Sequence, residues 1–147
     1  MSETITVRPY AEGDTAGLIA LWQACQLVRP WNDPAADISF CIASPNAELY
    51  VGQIGVDTRP AASVMVGHDG HRGWVYYLAV DPAHQGAGFG RRMIEQAEDW
   101  LKARSVPKIQ LMIRTENEQA ERFYDAIGYE RQAVTVMARW LNKDTGD

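Results

Sequence analysis

Apolar and polar residues alternate with two different periods near the start of the sequence, first the period of a strand and then that of a helix. Residues 5–8 alternate as in a short strand, which Pro9 ends. Asp14 is a plausible N-cap, and the apolar residues after it share one helix face: Leu18, Ile19, Leu21, Trp22 and Cys25. The pattern therefore predicts a strand followed by an amphipathic helix.

The next stretch consists of short apolar runs separated by turn residues. Two prolines keep residues 29–34 out of both helix and strand. Residues 37–43 predict a second, short helix. Residues 48–55 and 62–67 predict two strands of a hairpin, with residues 57–60 as their turn.

The most strand-like segment of the sequence, residues 74–80, follows a polar loop at 68–73. It is rich in aromatic and β-branched residues, and Asp81 and Pro82 end it. After a glycine-rich loop, residues 91–104 predict a helix with one apolar face: Met93, Ile94, Ala97, Trp100 and Leu101.

The last third of the sequence predicts a strand, a helix and another strand. The strand covers 108–114, and the helix starts at Asn117 and is closed by Gly128 as its C′ residue. The final strand begins at Tyr129, with Val134, Val136 and Ala138 alternating against their neighbours. The order β-α-α-β-β-β-α-β-α-β predicts a mixed α/β (α+β) fold in a single domain over 1–147.

Composition narrows the class of protein. The 147 residues carry 14 Lys and Arg against 19 Asp and Glu, a net charge of −5, which argues against a nonspecific nucleic-acid binder. We expect no membrane association, because there is no long apolar run and no basic, apolar leader. Cys25 and Cys41 lack the spacing of metal ligands or of a disulfide scaffold, so we expect reduced, buried thiols in a cytoplasmic protein and no metal site.

The charge is distributed unevenly along the chain. Residues 1–83 carry a net −5, residues 84–114 a net +3, and residues 115–147 a net −3. Most charge clusters are solvated helix faces, and that interpretation stays open here. The basic segment, however, contains the glycine-rich loop.

That loop runs from Gln85 to Arg92 and contains three alternating glycines between the best predicted strand and the best predicted helix. Backbone N–H groups at a helix N-terminus favour an anion, although a plain strand-to-helix turn is an equal alternative. A P-loop is excluded because no Gly-Lys pair exists, and the GxGxxG fingerprint of dinucleotide binders fails at Arg91 and Met93.

Two motifs in the second half of the sequence carry a family resemblance. Gln85, Gly88 and Gly90 form Gln-x-x-Gly-x-Gly, and an Asn followed by A-x-x-F-Y-x-x-x-G-Y is formed by Asn117, Ala120, Phe123, Tyr124, Gly128 and Tyr129. Both are similar to motifs of the GCN5-related N-acetyltransferase (GNAT) superfamily, over residues 4–140. The strings LVRPWNDP, GHDGHRGWVYYLAV and FYDAIGYE also resemble the small bacterial YpeA-type acetyltransferases.

The resemblance implies a GNAT-type domain that binds acetyl-CoA. Its fold would be a mixed, mostly antiparallel sheet of six to seven strands with splayed central strands and about four flanking helices. The positions that match cofactor-binding residues of the family are Leu78, Ala79, Val80, Gln85, Gly86, Ala87, Gly88, Phe89, Gly90, Arg91, Asn117 and Phe123. Capping of the helix explains Asn117 equally well.

The resemblance also assigns catalytic roles. Tyr124 matches the tyrosine that protonates the leaving thiolate, although it could simply pack on its helix face. The amide of Leu78 or Val80 matches the oxyanion donor. A glutamate that serves relatives acetylating protein N-termini is replaced by Met112, which leaves Tyr77, His71, Asp69 or a chain of waters as the base.

The acceptor pocket of this fold would be built by the first two helices and the loop before the central strand. The candidate substrate residues are Arg29, Trp31, Asn32, Asp33, Asp69, His71 and Tyr77. Trp31 could instead fill the core, and Arg29 could pair with Asp33 or Asp37.

The acidic charge of residues 1–83 suits an amine acceptor that arrives as a cation, a small molecule or a peptide. A noncatalytic acyl-CoA-binding module is the alternative function, and a nucleotide-binding oxidoreductase is disfavoured by the failed fingerprint. Dimers are common among small GNAT-like proteins, so the resemblance also allows a homodimer.

Overall fold

A computed structural model describes residues 4–142, and the chain divides into two compact units between Leu111 and Met112. The first unit contains, in order, β1 (Ile5–Pro9), α1 (Thr15–Ala24), α2 (Pro34–Ala43), β2 (Ala47–Ile54), β3 (Ala62–His68), β4 (Gly73–Val80), α3 (Phe89–Ala103) and β5 (Ile109–Leu111). The second contains α4 (Glu118–Ala126). Short 3-10 helices lie at Glu12–Asp14 and Pro82–His84. The predicted mixed α/β class is confirmed.

The strands form one sheet in the order β1-β2-β3-β4-β5, antiparallel from β1 to β4, with β5 parallel to β4. The predicted mixed, mostly antiparallel sheet is therefore confirmed. No helix among residues 4–142 has both the length and the apolar character needed to cross a bilayer.

The predicted strand from Tyr129 onward is wrong, because residues 129–142 form no strand and Val134 and Val136 are exposed. Alternation predicts which side chains would share a face, but a strand also needs a neighbouring backbone to pair with. The described residues thus form five strands instead of six to seven.

Two aspartates mark the beginnings of the first two helices, in different ways. Asp33 caps α2, accepting a hydrogen bond from the amide of Ala36, and Pro34 follows as the first helical residue, so α2 starts three residues before its predicted start. Asp14 precedes α1, but its carboxylate makes no cap hydrogen bond to that helix and instead accepts from the guanidinium of Arg8 and from the backbone amide of Ala11.

Within the first unit, helices cover both faces of the sheet, because side chains along each strand point alternately to one face and to the other. One face carries Leu49 and Val51 and packs against α1 and α2. The opposite face carries Val64 and Val66, which pair with the β2 residues that alternate with Leu49 and Val51. The five predicted apolar residues of α3 are all buried: Met93, Ile94, Ala97, Trp100 and Leu101.

A β-bulge interrupts β4 at Tyr77. Ser63 registers with Ala79 and Met65 with Tyr76, so β4 has one more residue than β3 between these pairs. Tyr77 has a φ of 54°, in the left-handed region that non-glycine residues rarely adopt. Consecutive strand residues normally point to opposite faces, and the bulge places Tyr76 and Tyr77 on the same side, where both line one cavity.

The last strand of the sheet is short. β5 pairs with β4 only between Gly73 and Val75, over three residues. From Tyr76 to Val80 the edge of β4 that faces away from β3 has no β5 partner. This is the splay of central strands that the family resemblance implies.

Candidate active site

The open edge of β4 presents backbone amides. The amide of Asp81 donates to the carbonyl of Ala61 at 2.8 Å, so the β4 positions that bond to β3 are Asp81 and Ala79. Because backbone groups alternate along a strand, the amides of Leu78 and Val80 face the other way, toward the splay. Two N–H donors at this edge are suited to an extended ligand or a developing oxyanion.

The C-terminal end of β4 is held in place by two side chains. The carbonyl of Val80 accepts hydrogen bonds from the Gln85 side-chain amide at 3.0 Å and from the Cys25 thiol at 3.2 Å. Burial raises the pKa of Cys25, so this thiol stays protonated and can donate. Gln85 therefore ties the glycine loop to the strand that precedes it.

The glycine loop opens directly onto the N-terminus of α3. Gly86 and Gly88 both have φ of 84°, and a Cβ atom built on either would meet nothing within 4 Å among the described residues. The first helical hydrogen bond runs from the amide of Arg92 to the carbonyl of Gly88, so the amides from Phe89 to Arg91 lack an acceptor inside the helix. Open space, free amides and the helix dipole together fit a pyrophosphate.

A cavity of about 900 Å³ lies beside β4, between α2 and the β3–β4 hairpin. Its lining is mostly aromatic and aliphatic, with a few polar groups, and includes Leu27, Asn32, Asp37, Phe40, Cys41, Met65, His68, Asp69, Trp74, Tyr76 and Tyr77. Tyr77 immediately precedes Leu78, so the cavity and the outward-facing amides share one strand. A pocket of this size and composition is typical of a small-molecule site.

Two carboxylates line the cavity. The Tyr77 hydroxyl donates to Asp37 Oδ2 at 2.6 Å, and burial together with this bond raises the pKa of Tyr77. Asp69 accepts from the amides of His71 and Arg72 and from the indole of Trp74. These donors lower the pKa of Asp69 to about 2, so it is ionised at neutral pH.

Only part of the predicted acceptor set lines this cavity. Asn32, Asp69 and Tyr77 do, and the remaining four candidates are outside its lining: Arg29, Trp31, Asp33 and His71. Asp33 is the cap of α2, and His71 is exposed at the tip of the hairpin.

Sequence reasoning missed Asp37 as a lining residue. The sequence signal that could have identified it is spacing. Asp37 lies three residues before Phe40 and four before Cys41, which places it on the same side of an otherwise apolar helix.

The second unit contains the downstream motif. Asn117 caps α4, its side-chain oxygen accepting from the amide of Ala120 at 3.0 Å. Tyr124 is buried, its ring 5.0 Å from Phe123 and 5.5 Å from Tyr129 between centroids, and burial raises its pKa. A phenol in this state stays protonated, as a proton donor requires. Met112 is half exposed, and its thioether cannot accept a proton in place of a carboxylate.

Comparison with known proteins agrees with these features. The model of the "Acetyltransferase (GNAT) family" matches residues 14–129. A Yersinia pestis protein named "Acetyltransferase" is 37% identical over 138 residues, covering 94% of this chain and 96% of its own. A Pectobacterium atrosepticum acetyltransferase is 35% identical over 147 residues, covering 94% of this chain and 96% of its own.

Solved structures share the fold at lower identity. A putative acetyltransferase from Agrobacterium tumefaciens superposes with a TM-score of 0.74 at 18% identity, covering 92% of this chain and 99% of its own. Aminoglycoside N-acetyltransferase AAC(6')-Iy in complex with CoA gives a TM-score of 0.79 at 12% identity, covering 97% and 98%.

Proposed function

This chain belongs to the acetyltransferase (GNAT) family, and we propose that it transfers the acetyl group of acetyl-CoA directly to the primary amine of a small molecule or peptide. The observation that carries the proposal is the shared position of two features on β4. The outward-facing amides of Leu78 and Val80 directly follow Tyr77, which lines an acidic cavity. The strand thus joins a binding edge for an acyl donor to a pocket for an amine.

The glycine loop and α3 would hold the cofactor. The free amides of the first turn of α3 suit the pyrophosphate, with Gly86 and Gly88 leaving room for it. Arg91 is exposed in that first turn, where a cation opposes the helix dipole unless an anion lies beside it. The pantetheine arm would extend along the open edge of β4, and the bound thioester supplies an activated acetyl group.

The transfer requires an oxyanion donor and an acid, and the chain offers both. The amide of Leu78 or Val80 would stabilise negative charge on the acetyl oxygen while the amine nitrogen attacks the carbonyl carbon. The carbon–sulfur bond then breaks, and we assign to Tyr124 the delivery of a proton to the departing thiolate. Its motif position supports this assignment, and burial keeps the phenol protonated before the thiolate departs.

The hydrogen bonds of the site narrow the choice among the candidate general bases. The hydroxyl of Tyr77 donates to Asp37 and its pKa is raised, so it acts as a donor. Asp69, with its pKa lowered to about 2, is too weak a base to take a proton from an ammonium group. His71 lies outside the cavity lining. Of the four candidates that the sequence offers, this leaves water in the cavity, and we assign deprotonation of the amine to it.

Two assays test the proposal. Acetyl-CoA and CoA should raise the melting temperature of the full chain, whereas NAD should not. Release of CoA thiol should then accelerate with an amine acceptor in a panel of small and peptide amines. Stabilisation by NAD alone would overturn the cofactor assignment. Binding of acetyl-CoA with no amine-dependent thiol release would instead favour a noncatalytic acyl-CoA-binding module, which the loss of the family glutamate at Met112 makes the second candidate.

A further inference from the structure

We propose that Asp37 selects the acceptor, binding the ammonium group of a monoamine whose remaining part is apolar or aromatic. This inference rests on the proposed acetyl transfer, and adds to it the chemical class of the acceptor and the residue that recognises it.

The cavity is negatively charged. Asp37 and Asp69 line it, and its lining among residues 4–142 includes no Lys or Arg. Burial is the main cause of the raised pKa values of Tyr76 and Tyr77, and the negative charges nearby add to it, that of Asp69 at Tyr76 and those of Asp37 and Asp33 at Tyr77. A cavity with this potential attracts a cation and repels a phosphorylated or carboxylated acceptor.

The two carboxylates differ in their freedom to bind a ligand. Both oxygens of Asp69 are occupied, Oδ1 by two backbone amides and Oδ2 by the Trp74 indole at 3.1 Å. Asp69 therefore orders the hairpin. Among the described residues, only the Tyr77 hydroxyl donates to the Asp37 carboxylate, and it does so on Oδ2. Asp37 Oδ1 is therefore available to accept a hydrogen bond from an ammonium group. Because there is one such oxygen, it can bind one cationic nitrogen, as a monoamine carries.

Tyr77 is a positioning residue for Asp37. Its ring stacks on Trp22 with 3.9 Å between centroids and 15° between planes, and its carbonyl accepts from the buried Ser63 at 2.7 Å. The β-bulge that these contacts fix aims the hydroxyl at α2, where it meets Asp37. The carboxylate is thereby held in one orientation before the acceptor arrives, which reduces the entropic cost of binding.

The rest of the lining suits an apolar body. Phe40 and Tyr76 are exposed large side chains, at 82% and 46%, and both line the cavity together with Trp74 and Met65. Aromatic walls around one carboxylate are suited to a cation carried on a ring or a short aliphatic chain. Sugar amines and polyamines would leave hydroxyls or further charges facing these walls.

The experiment compares four amines as acceptors for the full chain with acetyl-CoA: 2-phenylethylamine, glucosamine, spermidine and phenylalanine. We expect the highest kcat/KM for 2-phenylethylamine. Asp37→Asn should raise its KM about 10- to 100-fold, the effect of losing a hydrogen bond to a charged group, with the Kd of acetyl-CoA unchanged. Tyr77→Phe keeps the ring stack and should raise KM about 3- to 10-fold with kcat unchanged.

Matched controls separate local from general effects. Asp99→Asn removes the same charge from an exposed site on α3, and Tyr50→Phe removes a hydroxyl on β2 outside the cavity lining. Both should leave KM at its wild-type value. For the aromatic amine, added salt should raise KM in the wild-type chain and much less in Asp37→Asn.

Each outcome bears on one of the two proposals. If acetyl-CoA binds and no amine accelerates thiol release, the transfer itself is overturned and the acceptor assignment with it. If amines are acetylated and Asp37→Asn leaves KM unchanged, only recognition by Asp37 is overturned. Preference for spermidine or glucosamine overturns the apolar monoamine class. If Asp37→Asn does not fold, Tyr77→Phe decides, because a purely structural role would not raise KM at constant kcat.

Discussion

The indole N–H of Trp22 donates a hydrogen bond of 2.8 Å to the hydroxyl of Ser63, 41 residues away in the chain. Ser63 is fully buried and donates its own proton to the carbonyl of Tyr77. One hydroxyl therefore satisfies a buried indole and a carbonyl in the β-bulge at the same time. The position of Tyr77 in the cavity lining thus depends on a serine in the core.

Replacement of this serine should cost stability. Ser63→Ala leaves the Trp22 N–H without its acceptor in the core, which should lower the free energy of unfolding by about 1–3 kcal/mol. Ser39→Ala, at an exposed position of α2, is the matched control and should change it by less than about 0.5 kcal/mol. Urea unfolding followed by tryptophan fluorescence measures both, and equal stability of the two variants would contradict the role given to Ser63.

A single methyl group added to the glycine loop should weaken acetyl-CoA binding, because it strains the backbone. Gly88 has φ of 84° and open space around its Cβ position, so Gly88→Ala adds strain of about 1–2 kcal/mol without a clash. If the loop relaxes to relieve this strain, its amides turn away from the pyrophosphate. Calorimetry should show an increase in the Kd of acetyl-CoA of tenfold or more.

Gly13 provides the control for that substitution. A Cβ there also meets nothing within 4 Å among residues 4–142, and the φ of Gly13 lies outside the left-handed region. Gly13→Ala should therefore bind acetyl-CoA as the wild type does. An unchanged Kd in Gly88→Ala would show that the loop does not hold the cofactor through its backbone.

The Arg8–Asp14 pair should make stability depend on acid pH. Arg8 donates to both carboxylate oxygens, at 2.7 and 2.9 Å, and this hydrogen bonding lowers the pKa of Asp14 although burial opposes it. A carboxyl group with a lowered folded-state pKa stabilises the fold above its unfolded value of about 3.9, and this stabilisation is lost as the pH falls through the folded value.

Asp14→Asn should accordingly be less stable than the wild type at pH 7 by about 1–3 kcal/mol, and the difference should shrink as the pH falls below about 4. Unfolding by urea at a series of pH values measures this difference. Asp99→Asn should follow the wild type throughout. A difference that is constant with pH would mean that the Asp14 charge does not contribute.

Removal of one hydroxyl tests the proton donor. Tyr124→Phe preserves the ring contacts with Phe123 and Tyr129 and removes only the hydroxyl with its acidic proton. As the loss of a general acid, it should lower kcat by about 100-fold or more while the Kd of acetyl-CoA stays unchanged. Steady-state kinetics beside Tyr50→Phe distinguishes this from a general effect of losing a tyrosine hydroxyl, and a wild-type kcat would remove Tyr124 from the mechanism.

The elements of the first unit could be predicted wherever local sequence decides the structure. The apolar face of α3 and the polar breaks around β4 are local patterns, and they placed both elements correctly. Residues 129–138 show the limit of such patterns. Val134, Val136 and Ala138 alternate with their neighbours, but no strand pairs with this segment among the described residues.

The candidate site was less predictable because it depends on pairs distant in sequence. From the sequence, Asp37 is only a possible ion-pair partner of Arg29, and a bulge 40 residues later brings the Tyr77 hydroxyl to it. The bulge contains no glycine from which it could have been predicted. Its left-handed residue is a tyrosine, held by Trp22 and Ser63 through contacts that periodicity does not encode.

The most direct measurement incubates the full chain with acetyl-CoA and 2-phenylethylamine and quantifies free CoA thiol and N-acetylated amine in the same samples. We predict that both products appear together in a one-to-one ratio, at a rate that saturates with amine and falls with added salt at low amine concentration. Acetyl-CoA binding without N-acetylated product from any amine in the panel, or thiol release without matching product, would contradict acetyl transfer to an amine held beside β4.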